Sequence, residues 1–177
     1  MLDKYPNEIY IFIIENKDLI NMDLLKEQFP MNPLINEINE IPNDKLCGKF
    51  YSVGNLSLLK YCHENDFSWD DETCSNAASN GHFQCLKYAH ENGCEWNSST
   101  CDSAASNGYL ECLKYAHENG CEWDWTTCCY AIENEHLECL KYAHENGCDW
   151  DEYTSCCAAS NGHLECLKYA HENGCPV

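Results

Sequence analysis

Basic side chains are scarce in this sequence. Ten lysine-plus-arginine residues stand against 30 aspartates and glutamates, giving a net charge of −20. Phosphate backbones and anionic lipid headgroups repel such a chain, so sequence-independent nucleic-acid binding and electrostatic membrane association are not expected. Long apolar runs are lacking too. The most apolar stretch, Ile9 to Ile14, is too short for a secretory signal and far too short for a bilayer span. The signatures of common chemistries are also missing: there is no Ser/His/Asp order, no P-loop and no Gly-rich phosphate loop. An intracellular, non-enzymatic protein without a cofactor is the expectation.

Cysteine and apolar residues are plentiful. The chain has 177 residues and is 44% hydrophobic, enough for one domain with a sizeable core. It carries 16 cysteines, a density that in a secreted protein would imply a disulfide framework. Without a secretory signal, a reducing compartment and free thiols are expected instead.

The positions of those cysteines reveal the architecture. Cys-Leu-Lys-Tyr-Ala-His-Glu-Asn-Gly-Cys runs from Cys85 to Cys94 and recurs unchanged at Cys112, Cys139 and Cys166, a step of 27 residues each time. A degenerate copy starts at Leu58. His63, His90, His117, His144 and His171 form one column; Trp69, Trp96, Trp123 and Trp150 form a second; Cys47, Cys74, Cys101 and Cys128 form a third. This phase divides the chain into units 43–69, 70–96, 97–123, 124–150 and 151–177.

Each unit reads as two helices. In 97–123, Asn97 to Thr100 supply good helix-capping residues. Cys101 to Ser106 is a short helix of small residues, and Asn107-Gly108 breaks it. A second helix from about Tyr109 to Glu118 carries Leu110, Leu113, Tyr115 and Ala116 on one stripe. His117 falls in its last turn, suited to the negative end of the helix dipole. One unit cannot bury its own apolar face, so stacking is required. The fold class is all-α: a helical-repeat solenoid of helix-turn-helix units.

The run Ala104-Ala105-Ser106-Asn107-Gly108-Tyr109-Leu110-Glu111-Cys112-Leu113-Lys114, followed by Glu118-Asn119-Gly120-Cys121, resembles the core of an ankyrin repeat. Unit 151–177 repeats it with Ala158 to Glu165. More narrowly, it resembles the shortened ankyrin-like repeats of giant DNA viruses of amoebae and some protists. The resemblance spans 43–177. It implies protein–protein interaction without catalysis and, for a viral protein, a place in the host cytoplasm or the virion. The family period is about 33 residues, so each unit lacks the stretch that forms the inter-repeat β-hairpin. Binding is then expected on first-helix faces and on the tight Gly-Cys-x-Trp turns.

Residues 1–42 depart from the repeat. Helices from Pro6 to Asn16 and from Asp23 to Phe29 would make an N-terminal helical cap; a docking element is the alternative. Unit 151–177 has no evident cap, and an oligomer contact through it is one expectation.

Every full unit also offers Cys and His. His90, Cys94 and Cys101 are the best candidate zinc ligands. Repeating columns stand about 8–10 Å apart, so one column cannot converge on an ion, and no Cys-x-x-Cys knuckle is present. The bland reading treats the thiols as small buried hydrophobes. Cys112 and Cys121 stand where the ankyrin pattern usually has Val and Ala, and unit 43–69 places Leu58 and Phe67 in those columns. A metal- or redox-responsive repeat protein stays as the alternative to an interaction scaffold.

Positions that change between units are free to meet a partner. They cluster at the start of the first helix, where Trp125, Tyr130 and Tyr153 concentrate aromatic surface on the last two units. With Asp71, Glu72 and Asp102 as a rim, these residues are the expected contact face for a protein partner. The regular Trp column is expected to pack between units.

Overall fold

The computed structural model describes residues 54–64, 69, 72–150 and 152–175. All regular structure among them is helical: α1 (Leu56–Glu64), α2 (Thr73–Ser79), α3 (Phe83–Glu91), α4 (Ser98–Ser106), α5 (Leu110–Glu118), α6 (Trp125–Glu133), α7 (Leu137–Glu145), α8 (Glu152–Asn161) and α9 (Leu164–Glu172). The proposed cap 1–42 and Asp71 lie outside the described residues. From α2 onward the helices alternate as first and second members of the 27-residue unit.

The local reading needs one correction. The first helix of unit 97–123 begins at Ser98, three residues before Cys101. Asn97 alone is the cap: its backbone is extended and its side chain accepts from the Ser99 amide at 3.0 Å. Ser98, Ser99 and Thr100 form the first turn. Asp124 caps α6 in the same way through the Thr126 amide. The ends of α2, α3, α4, α5, α7 and α9 fall at asparagine–glycine pairs, whereas α6 ends at Asn134–Glu135. Tyr109 N–H donates to Ala104 and Gly108 N–H to Ala105, the paired bonds of a Schellman ending. Asn107 Nδ2 donates to the Ser103 carbonyl, covering another orphan acceptor. Cys121 and Gly120 close α5 on Ala116 and His117 in the same pattern.

First helices pack on first helices, second on second, and each first helix on its own partner. The first helices lie closest because their facing side chains are small. Thr100, Cys101, Ala104 and Ala105 are buried, as are Thr127, Cys128, Ala131 and Ile132 one unit later. The second helices α3, α5 and α7 bury Cys112, Leu113 and Ala116 and their equivalents. Leu110 and Tyr115 are only half-buried, so the stripe turns toward Cys112.

The His and Trp columns touch each other. His90 stacks on Trp96 at 3.6 Å, His117 on Trp123 at 3.6 Å and His144 on Trp150 at 3.7 Å, with ring planes within 13°. Each Trp then meets the next unit's tyrosine at about 6 Å: Trp96 with Tyr115, Trp123 with Tyr142, Trp150 with Tyr169. His90 Nδ1 also bonds the Tyr115 hydroxyl at 3.2 Å. The Trp column therefore does pack between units. The histidines serve as stacking partners at the helix end, an arrangement that offset and edge-on ring contacts favour.

Candidate interaction face

Three of the first-helix positions that vary between units carry exposed aromatic side chains. Trp125 is 42% exposed, Tyr130 41% and Tyr153 62%, whereas the regular Trp column is half-buried. Trp125 opens α6 and Tyr153 lies in the first turn of α8; their rings stand 6.2 Å apart and tilted by 32°. Tyr130 lies further along α6. Glu72 is exposed at the N-cap of α2.

Asp102 differs from the rim residue expected of it. Its carboxylate is half-buried between α4 and α6. It accepts from Thr127 Oγ1 at 2.6 Å and from Thr126 Oγ1 at 3.3 Å. Burial pushes the carboxyl above its ordinary pKa, and the two hydroxyls oppose that shift. Asp102 and Tyr130 line one open groove of about 260 Å³ together with Ser99, Ser103, Ser106 and Asn107. The structure thus gathers the expected contact residues into two neighbouring features, a Trp125–Tyr153 ridge and an Asp102–Tyr130 groove. Glu72 stands apart on α2.

The candidate zinc set does not assemble. Cys94 hydrogen-bonds Cys74, and Cys101 hydrogen-bonds Cys121. His90 is engaged by Trp96 and Tyr115. Among the described residues no group of three or more His, Cys, Asp or Glu is placed to hold a metal ion. The thiols instead form a repeated relay. Cys101 bonds Cys121, whose Sγ donates to the Asn97 carbonyl at 3.1 Å; Cys128 bonds Cys148, whose Sγ donates to the Asp124 carbonyl at 2.9 Å. The hydrogen bond and burial hold Cys101 and Cys128 in the neutral form, while the bond from Cys101 lowers the pKa of Cys121. In units 97–123 and 124–150 the relay ties the end of the unit to the cap where that unit begins.

Sequence reasoning missed two parts of this picture. The buried threonines Thr73, Thr100, Thr127 and Thr154 recur every 27 residues, and that period was the available signal. Thr127 reaches back to Asp102, and Thr154 Oγ1 lies 3.6 Å from Cys129 Sγ. The groove itself left no sequence signal, because it forms between residues from successive units.

Stacked helix pairs at a fixed step define a helical-repeat solenoid, and the comparisons give its kind. A family model described as ankyrin repeats (3 copies) matches residues 101–177, and one described as ankyrin repeats (many copies) matches residues 74–117. The chain belongs to the ankyrin-repeat family. Among solved structures, the human ASB11 ankyrin repeat domain superposes with a TM-score of 0.63 at 17% identity, covering 74% of this chain and 70% of that one. That likeness is one of fold. The comparison with curated proteins gave no match. Ankyrin repeats are generally protein–protein interaction modules. No helix among the described residues is long and apolar enough to cross a membrane.

Proposed function

We propose that this protein is a non-catalytic interaction scaffold that docks a protein partner on its first-helix face, centred on the Trp125–Tyr153 ridge with Tyr130 and Asp102 beside it, and with the acidic positions Asp71 and Glu72 of an earlier unit as further contacts. One observation carries the reading. Trp125, Tyr130 and Tyr153 break the repeat with large exposed aromatics, while the repeated aromatics are half-buried against the core. Aromatic anchors dominate interface energetics. The 27-residue step supports helix-face binding rather than hairpin tips, since no strand occurs among the described residues. The net charge of −20 favours a basic partner and disfavours nucleic acid.

Affinity purification from the native cell, with wild type and a Trp125→Ala/Tyr153→Ala double variant, tests this. The variant should keep the wild-type circular dichroism spectrum and urea midpoint. It should weaken binding of the recovered partner by about 2 kcal/mol or more, the scale of a hot spot. A variant that unfolds would place those rings in the core, and one that binds normally would remove the ridge from the interface.

A further inference from the structure

We infer that the groove between α4 and α6 is a subsite for one lysine or arginine side chain of the partner polypeptide, with Asp102 as the counter-ion and the Tyr130 ring as one wall. The inference rests on the first-helix docking proposed above and names the chemistry recognised there.

Asp102 is an exception in its column. The equivalent positions are Ser75, Cys129 and Cys156, so stacking of the repeats does not require a carboxylate. Cys129 meets the next unit's threonine from that position, as Asp102 does. A half-buried carboxylate is costly unless something compensates it. Thr126 and Thr127 give it hydroxyl bonds, and none of the ion pairs among the described residues includes it. Tyr130 is equally irregular, standing where the other units have Asn76, Ser103 and Cys157.

The groove therefore combines an anion without a cationic partner, a partly exposed phenol ring and neutral oxygen acceptors from Ser99, Ser103 and Asn107. A cation at the end of a flexible alkyl stem matches each of these. The carboxylate takes a charge-assisted hydrogen bond, the ring face attracts the cation, and the hydroxyls and amide take the remaining donors. The overall negative charge would steer such a group inward and exclude an acidic one.

The test is a double-mutant cycle on the full chain. Random-sequence dodecapeptides displayed on phage are selected against wild type, and the peptides obtained are synthesised with each basic residue in turn replaced by norleucine. Binding is measured to wild type, Asp102→Asn, which keeps an acceptor for Thr127, and Asp102→Ser, which copies Ser75. Selected peptides should share a Lys or Arg whose replacement weakens wild-type binding by about tenfold or more. Both Asp102 variants should lose the same factor with the basic peptide and nothing further with its norleucine form. Additive losses, equal binding by the variants, or selected peptides without a shared basic position overturn the subsite. Trp125→Ala/Tyr153→Ala separates this from the broader reading. If that variant loses binding while Asp102→Asn keeps it, the ridge stands and the subsite falls. If Asp102→Asn loses binding while the aromatic variant keeps it, the subsite stands and the ridge falls.

Discussion

At the scale of the residue, cysteine serves here as a small buried hydrophobe. Cys85, Cys112 and Cys139 are buried against leucine and alanine, and burial pushes their pKa values up to about 11, 12 and 11 from an ordinary 9.0. The sign of the linkage follows. In the unfolded chain these thiols ionise from about pH 9, while the folded chain holds them neutral. Stability is therefore unaffected by them below that pH and declines as pH rises from 9 toward 11–12, by at most about 1.4 kcal/mol per thiol for each unit of pKa difference. A Cys85→Val/Cys112→Val/Cys139→Val variant should match wild-type stability at pH 7 within about 1.5 kcal/mol per site. Its urea midpoint should fall less than that of wild type between pH 8.5 and pH 10.5. Parallel declines would show that other groups carry the alkaline loss.

At the scale of the element, the glycines that close the two helices face different demands. Gly108 ends α4 at φ +74 and Gly120 ends α5 at φ +87, so any L side chain there is strained. A Cβ at Gly108 would also lie 2.5 Å from the His136 ring of the next unit, whereas a Cβ at Gly120 meets nothing within 4 Å. Gly120→Ala should cost about 1 kcal/mol, the conformational penalty alone. Gly108→Ala should cost distinctly more, because it also displaces a ring from the unit junction. Urea denaturation of the two variants gives the comparison, and equal losses would refute the ring-on-glycine contact. Glu135 shows that the first penalty can be borne: it holds φ 62 in the Gly108 column, and its carboxylate lies 3.6 Å from His163.

What the sequence made legible follows from the same glycines. An asparagine–glycine pair marks a helix end through backbone chemistry, so most helix boundaries could be read directly. The start of α4 was placed three residues late because Ser, Ser and Thr are good caps and only geometry shows that Asn97 takes the role. The 27-residue step exposed every column but not which columns meet. The His–Trp–Tyr stack, the thiol relay and the Asp102–Thr127 bond join residues 6 or 19–25 positions apart. Those separations depend on how one unit rotates onto the next, and that rotation is not encoded locally. The exposure of Trp125, Tyr130 and Tyr153 was legible because departure from a repeat is itself a signal.

At the scale of the whole molecule, each unit is stabilised by its neighbours, so stability varies along the stack. Leu113 is fully buried between units, while its equivalent Leu167 is only half-buried. Ala78, Ala105 and Ile132 are inaccessible, but Ala159 in the same column is exposed, and Leu164 is 73% exposed. Among the described residues α8 and α9 therefore stack on one side only. Leu113→Ala should destabilise the fold by about 2–5 kcal/mol, and Leu167→Ala by clearly less, since less area and a more collapsible site are involved. Native-state hydrogen exchange should show α8 and α9 opening at lower free energy than α4 to α7. Concentration supplies the decisive variable. If a second copy covers the Leu164 face, as an oligomer contact through the last unit requires, α9 protection must rise with protein concentration and Leu164→Glu must abolish that rise. Protection independent of concentration would mean that no second copy covers the Leu164 face, and the docking face on α6 and α8 would then sit on the least stable part of the described stack, where partner binding would tighten it.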